Sequence, residues 1–293
     1  MVGTTISHYE VLEKLGEGGM GLVFKARDLQ LGRFVAIKVL IAGSDESASH
    51  RARFIQEARA ASSLNHPSII TIHDLGIEES TQTPYLVMEM VEGQPLEKII
   101  AKGSVPYPTA CELAAQVATA LAVAHRRSVI HGDIKPANIL VTTENRVKLT
   151  DFGMARLASH QTDSAVRGTP AYWCPEQILG RAQDARSDLF SLGVVLHEML
   201  TGLNPFAGES IPTVCNQILS STPLPPSRSN PSVPTTLDDI VASCLAKEPQ
   251  LRTSSAEGLA EQLYPLARRK PVPSQPAGGS EPRNRVARLL RSA

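Results

Sequence analysis

Along residues 9–40 apolar and polar positions alternate, with turn residues gathered at 16–21 and again at Gly32, and a further alternating run covers residues 85–91. A period of two sends successive side chains to opposite faces of a pleated strand, so this part predicts paired strands joined by tight turns. Helical periodicity begins near Arg51. From residue 111 onward it dominates, and it predicts helices over 111–126, 187–201, 213–220, 237–245 and 255–266. The most apolar run, 189–200, is broken by Ser191, His197 and Glu198 and falls well short of the roughly 20 residues that span a bilayer, so a buried core helix is expected. Residues 223–234 are rich in Pro and Ser and read as a surface connection, and 270–282 form a Pro/Gly/Ser linker with no apolar pattern. The folded body is expected to end near Leu266, followed by a tail over 267–293.

Composition narrows the class without naming a function. A chain of 293 residues with 42% hydrophobic and 20% charged positions can build a sizeable core, as one domain of two lobes or as two domains. Its formal net charge of zero is unevenly spread, because Arg268, Arg269, Lys270, Arg283, Arg285, Arg288 and Arg291 crowd the C-terminal end, where Glu281 is the sole acid after residue 266. The body is therefore mildly acidic, which argues against nucleic acid as its main partner. Four cysteines without metal spacing, and an N-terminus without a secretory pattern, predict a reduced, cytoplasmic protein.

The glycines of LGEGGMGLVF stand at Gly16, Gly18 and Gly21. That spacing would suit a dinucleotide-binding turn if a helix followed, but Leu22–Ala26 alternates like a strand, so a hairpin tip is expected. A plain turn accounts for it as well as a phosphate cover whose backbone N–H groups approach phosphate oxygens unobstructed. In VAIKVL, alternation places Ala36, Lys38 and Leu40 on one face and Val35, Ile37 and Val39 on the other, so Lys38 needs an anion. Phe54, Ala58, Ala61 and Leu64 share one helical stripe, and Glu57 falls inside it and needs a cation. Burying either charge alone costs several kcal/mol, so a Lys38–Glu57 ion pair is predicted, against the alternative of two solvated groups.

In HGDIKPANIL, Asp133 can accept a hydrogen bond from an attacking hydroxyl and Asn138 can offer a neutral oxygen to Mg²⁺. Asp151, in LTDFG after an expected strand at 147–149, can bind a Mg²⁺ that bridges two phosphates. Singly, each Asp reads as a loop cap. In order, however, GxGxxG, VAIK, the inward Glu, HxDxxxxN, DFG and CPE match the protein-kinase signature set, and the chain resembles a eukaryotic-like bacterial Ser/Thr protein kinase over residues 9–266.

That resemblance implies a bilobal α+β fold, with a strand-rich N-lobe over about 9–90, a mainly helical C-lobe over about 91–266, and ATP with Mg²⁺ (or Mn²⁺) in the cleft between them. It implies a glycine-rich cover of Leu15, Gly16, Glu17, Gly18, Gly19, Met20 and Gly21. Met88 would stand at the back of the pocket, backbone groups of Glu89 and Val91 would meet adenine, and Val23, Ala36 and Leu140 would lie above and below it. Lys38 and Glu57 would serve the nucleotide, Asn138 and Asp151 the metal, and Asp133 with Lys135 and Thr169 the transfer to a Ser/Thr hydroxyl. Asp188 resembles the helix residue that braces the catalytic loop, and Glu176 with Arg252 the buried pair that ties the substrate loop to the C-lobe. Protein substrates are the implied partners, and relatives that pair through the N-lobe extend the expectation to a homodimer.

Gly132 departs from the Arg that protein kinases usually carry before the catalytic Asp, and HGD is also the pattern of small-molecule kinases. Lys135, the stretch RGTPAYWCPE, which resembles a peptide-docking segment, and Thr169 oppose that alternative. A pseudokinase scaffold would normally lack Lys38, Asp133, Asn138 or Asp151, and all four are present. Thr162 and Ser164 are the candidate phosphosites, with Arg156 and Arg167 near enough in sequence to pair with a phosphate; without an Arg at 132, phosphorylation is expected to matter little. His131 is expected to pack on Phe152, Trp173 to pack within its loop, and Cys174 to be a passive thiol. In the tail, Val286, Leu289 and Leu290 flanked by arginines predict a short amphipathic helix with weak affinity for anionic membrane surfaces or for the acidic body of the chain, or else a disordered basic segment.

Overall fold

The computed structural model describes residues 1–18, 21–40, 55, 58, 61–78, 81–152 and 170–268. Glu57, Thr162, Ser164, Thr169, Arg156, Arg167, Gly19, Met20 and the tail from 269 lie outside them, and so do the expectations that rest on those residues.

Six strands form one antiparallel sheet in the order β1-β2-β3-β4-β6-β5: β1 Thr5–Ile6, β2 Tyr9–Gly18, β3 Gly21–Asp28, β4 Phe34–Leu40, β5 Ile72–Glu78 and β6 Thr83–Glu89. The alternation in β4 sorts as expected. Val35, Ile37 and Val39 join Val11, Phe24, Ala26, Tyr85 and Val87 in one apolar cluster, while Ala36 packs with Ile70 and Met88 on the opposite face. Gly21 is required by close approach, since a Cβ there would stand 2.3 Å from the Val39 carbonyl oxygen. Strand β5 went unpredicted because its run, IHDLGIE, mixes exposed Asp74 and a central Gly76 into the pattern.

The helical part is built around two long helices. One, α2 (Tyr107–Arg126), starts four residues before its predicted onset, behind Pro106 and with Pro108 in its first turn, where a missing N–H costs nothing. Its buried residues fall on nearly every side, so it is a central element. The other, α4 (Ala185–Thr201), is capped by Asp184, whose side chain accepts from the Arg186 N–H at 2.8 Å, and ends at Gly202 in the left-handed region (φ 77°). Around them lie α1 (Leu96–Ile100), α3 (Pro175–Ile178), α5 (Ile211–Ser220), α6 (Pro226–Ser229), α7 (Thr236–Cys244) and α8 (Ala256–Ala267). The stretch expected as a plain surface connection thus carries one turn of helix, α6. Gly193 lets α4 and α7 touch, because a Cβ there would lie 2.6 Å from the Cys244 Cβ.

A small sheet, β7 (Gly93–Pro95), β8 (Ile139–Thr142) and β9 (Val147–Leu149), lies where the two parts meet. The Ile70 N–H donates to the Leu149 carbonyl at 3.0 Å, and the Leu149 N–H donates to that of Ser68 at 2.8 Å. The Lys148 ammonium reaches Glu89 Oε1 at 2.7 Å, and the Arg127 guanidinium donates to the Ser63 carbonyl. Among the described residues no helix is long and apolar enough to cross a membrane.

Candidate active site

Strands β2 and β3 turn back on each other with Gly18 opposite Gly21, so the glycine-rich stretch is a hairpin and not a strand-to-helix turn. Among the described residues no atom comes within 4 Å of where a Cβ would stand on Gly16, so their packing does not demand glycine there. Leu15 is exposed, and Glu17 lies at the surface paired with Lys14 at 2.7 Å. Beneath the hairpin, Val23, Ala36, Met88 and Val91 form one apolar cluster that also takes in Ile70 and Met90. Leu140, half-buried on β8 opposite Lys148, is not packed into that cluster. The Glu89 N–H is spent on the Thr71 carbonyl at 2.9 Å, which restricts any ligand contact of its backbone to its own carbonyl. Its side chain accepts from the Thr71 N–H and from Lys148, both at 2.7 Å. Lys148 and Thr71 were not foreseen, because their importance comes from long-range partners and not from a local pattern.

The Lys38 ammonium, nearly buried, stands 2.7 Å from Asp151 Oδ1. Strand alternation showed that this lysine needs an anion. Asp151 meets that need among the described residues, whereas the predicted partner, Glu57, lies outside them. Burial opposes ionisation of Asp151, but the charge and hydrogen bond of Lys38 outweigh it and hold its pKa below the ordinary 3.8. Asp151 adopts φ 61°, a left-handed conformation that costs a non-glycine residue about 1–2 kcal/mol and recurs at functional sites.

Asp133 lies at the centre of a second group. Its Oδ2 accepts from the Lys135 ammonium at 2.7 Å and from Asn138 Nδ2 at 2.9 Å, and the same Nδ2 is also 2.9 Å from the Asp133 carbonyl. With its amino group committed inward, Asn138 keeps its amide oxygen for a cation. Lys135 is extended, and Pro136–Asn138 forms a single 3₁₀ turn, which fixes the order of the three side chains. The loop is anchored from below by Asp188, 1% exposed. Its Oδ2 accepts from the His131 N–H at 2.9 Å and from His125 Nε2 at 2.8 Å, and its Oδ1 accepts from the Gly132 N–H at 2.8 Å. His131 is buried against Phe152, with ring centroids 4.6 Å apart, as expected. His125 gave no sequence signal.

The donor set suits a hard cation. One carboxylate (Asp151) and one amide oxygen (Asn138) suit Mg²⁺, which keeps several waters and takes further oxygens from substrate phosphates. Among the described residues, no three His, Cys, Asp or Glu side chains gather as an all-protein metal cage would need. The position at Gly16, open among the described residues, and the apolar cluster around Ala36 and Met88 likewise suit a nucleotide whose phosphates approach the backbone.

Behind this site, Glu176 and Arg252 meet through two bonds of 2.7 and 3.0 Å, both side chains buried. Trp173 packs against the main core, and Cys174 is fully buried with its thiol pushed up to about 12 by burial, as a passive thiol requires.

The protein kinase domain family model matches residues 9–264, and the chain belongs to that family. It is 42% identical over 262 residues to the serine/threonine-protein kinase PknB of Mycobacterium leprae, covering 87% of this chain and 42% of the relative. It is 40% identical over 268 residues to a probable serine/threonine-protein kinase of Clostridium perfringens, covering 90% of this chain and 39% of that one. The chain thus spans about two fifths of the length of the curated relatives it matches. The crystal structure of the Mycobacterium tuberculosis PknI kinase domain superposes with a TM-score of 0.72 at 27% identity, covering 91% of this chain and 98% of the other. The expected bilobal α+β kinase fold is therefore the fold found.

Proposed function

We propose that the chain transfers the γ-phosphoryl group of ATP, with Mg²⁺, to serine and threonine hydroxyls of proteins. The observation that carries this reading is the convergence of Lys135 and Asn138 on one oxygen of Asp133, beside the Lys38–Asp151 pair. A bound Mg²⁺ neutralises phosphate charge. In this reading Asn138 and Asp151 hold that ion, Lys38 aligns the nucleotide phosphates, and the apolar cluster of Val23, Ala36, Met88 and Val91 receives adenine. Asp133 aligns the incoming hydroxyl and accepts its proton, while Lys135 offsets the charge gathering on the transferred group. Little further covalent chemistry is needed, since phosphoryl transfer depends chiefly on positioning and charge. Thr169 supports a Ser/Thr preference through its resemblance to the threonine that pairs with the catalytic Asp and Lys.

The test is transfer of labelled γ-phosphate to a general protein substrate, with and without Mg²⁺, followed by phosphoamino-acid analysis. Phosphoserine and phosphothreonine are expected. Transfer to aminoglycosides or choline alone would favour a small-molecule kinase, and nucleotide binding without any transfer would favour a scaffold.

A further inference from the structure

Gly132 has no side chain, yet its peptide groups are held on both sides. Its N–H donates to Asp188 Oδ1 at 2.8 Å, from the core helix α4, and its carbonyl accepts from Gln177 Nε2 at 2.9 Å, from the short helix α3. Gln177 Oε1 in turn accepts from the Cys174 N–H at 2.9 Å. The chain at Gly132 runs through the left-handed region, φ 74°, directly before Asp133. One amide side chain therefore spans from the segment before α3 to the peptide bond that leads into Asp133.

The support beneath Gln177 is fixed. Its neighbour Glu176 is locked by Arg252, whose Nε, Nη1 and Nη2 also donate to the carbonyls of Ala246, Arg186 and Lys247 at 2.8, 3.0 and 2.9 Å. Upstream, the Tyr172 carbonyl accepts from Ser191 Oγ at 2.8 Å, and the Tyr172 hydroxyl donates to Glu198 at 2.7 Å, so α4 holds that end of the segment too. The chemistry at 177 is selective. Its two partners are a backbone donor and a backbone acceptor, and of the side chains of this length only a glutamine can accept from one and donate to the other at neutral pH. Neither partner titrates or can be phosphorylated.

We propose that Gln177 is a positioning residue that couples the 172–177 segment to Asp133 unconditionally, taking the place of the coupling that an arginine at 132 and a phosphorylated loop residue would supply. The proposal rests on the kinase reading above. It explains how a chain with Gly132 keeps its docking segment in register with the proton acceptor without a phosphate anchor.

Two substitutions in the full chain separate this role from helix capping. Gln177→Glu keeps the acceptor for the Cys174 N–H and so keeps the cap, but it sets a carboxylate against the Gly132 carbonyl. Gln177→Met loses both bonds at nearly the same volume. Steady-state transfer from ATP to a Ser/Thr peptide is measured with enzyme as purified and after phosphatase treatment, alongside melting temperature. Both variants are expected to lose about tenfold in kcat, the scale of one well-placed hydrogen bond. KM for ATP should stay within about twofold of wild type, the loss should be the same before and after phosphatase treatment, and Gln177→Glu should melt within a few degrees of wild type. A Gln177→Glu variant with wild-type kcat would reduce the residue to a helix cap and overturn the proposal, as would a loss that appears only after dephosphorylation. A wild type that transfers no phosphate at all would instead overturn the kinase reading on which the proposal stands.

Discussion

Of the places where this molecule sets a cation against a carboxylate, the cleft and the floor beneath residues 172–177 are built in opposite ways. In the cleft, Lys38 touches Asp151 through one 2.7 Å contact and Lys135 touches Asp133 through another, with the carboxylates 27% and 20% exposed. Beneath residues 172–177, Arg252 and Glu176 are 0% and 6% exposed and joined by two bonds, and three backbone carbonyls occupy the rest of the guanidinium. A carboxylate at a wet edge can exchange a contact for a ligand's phosphate or metal at modest cost. A saturated, dry pair has nothing to exchange, and removing one partner strands the other. Charge pairing alone therefore does not mark a functional site; what separates the two is whether the carboxylate is left open to solvent.

The sharpest way to break this comparison is at its wet end. Asp133→Asn should lower kcat by about 10²–10⁴-fold while leaving the melting temperature close to wild type, read by steady-state kinetics and calorimetry on the same preparation. Wild-type turnover in that variant would remove Asp133 from its assigned role. At the dry end the effects reverse. Arg252→Met should cost about 3–5 kcal/mol of stability, because it leaves Glu176 charged and buried, and denaturant unfolding measures it directly. The double substitution Arg252→Met/Glu176→Leu should recover part of that loss, since no buried charge then remains.

Lys247 sharpens the comparison further, because it is a cation on the dry side without a carboxylate. Its Nζ has no hydrogen-bond partner among the described residues and lies 4.5 Å from the centre of the Phe206 ring. Burial, aided by the charge of Arg252, pulls its pKa down from 10.5 to about 8. The unfolded chain therefore holds a proton here over a range where the folded chain has released it, and stability should rise as pH is raised from about 8 towards 10.5. Lys247→Met should abolish that rise and stabilise the protein at pH 7 by about 1 kcal/mol, seen as a small gain in melting temperature. The smallest effect belongs to the loop itself. Thr162→Ala/Ser164→Ala should keep kcat/KM within about threefold of wild type if no phosphate anchor operates, and a hundredfold loss restored by phosphorylation of the wild type would overturn that expectation.

How much of this was legible in the sequence depended on whether the signal was local. Alternation in β4 placed Lys38 on the cleft face opposite Val35, Ile37 and Val39, and helical periodicity located α4 and α8 to within two residues at each end. The stretch from His131 to Asn138 was readable because its residues lie within eight positions of one another. Asp188 and the Glu176–Arg252 pair were reached through family resemblance alone, since nothing near them in the chain announces a partner 57 or 76 residues away. Gln177, His125 and Lys148 were missed for the same reason without that aid. His125 and Lys148 act on groups that are nearby only after folding, as does the amide nitrogen of Gln177, and both partners of Gln177 are backbone groups, which have no sequence signature at all.

The seam at Ser68–Ile70 and Leu149 also has a mechanical meaning. Backbone bonds there join the two parts of the molecule at a point two residues from Asp151, while strands β2 and β3 are paired within the large sheet. Displacement in a hinged body grows with distance from the axle. Rotation about this seam would leave Asp151 almost stationary and displace the more distant strands further, so the cleft could open without moving the carboxylate that, in the proposed kinase reading, holds Mg²⁺.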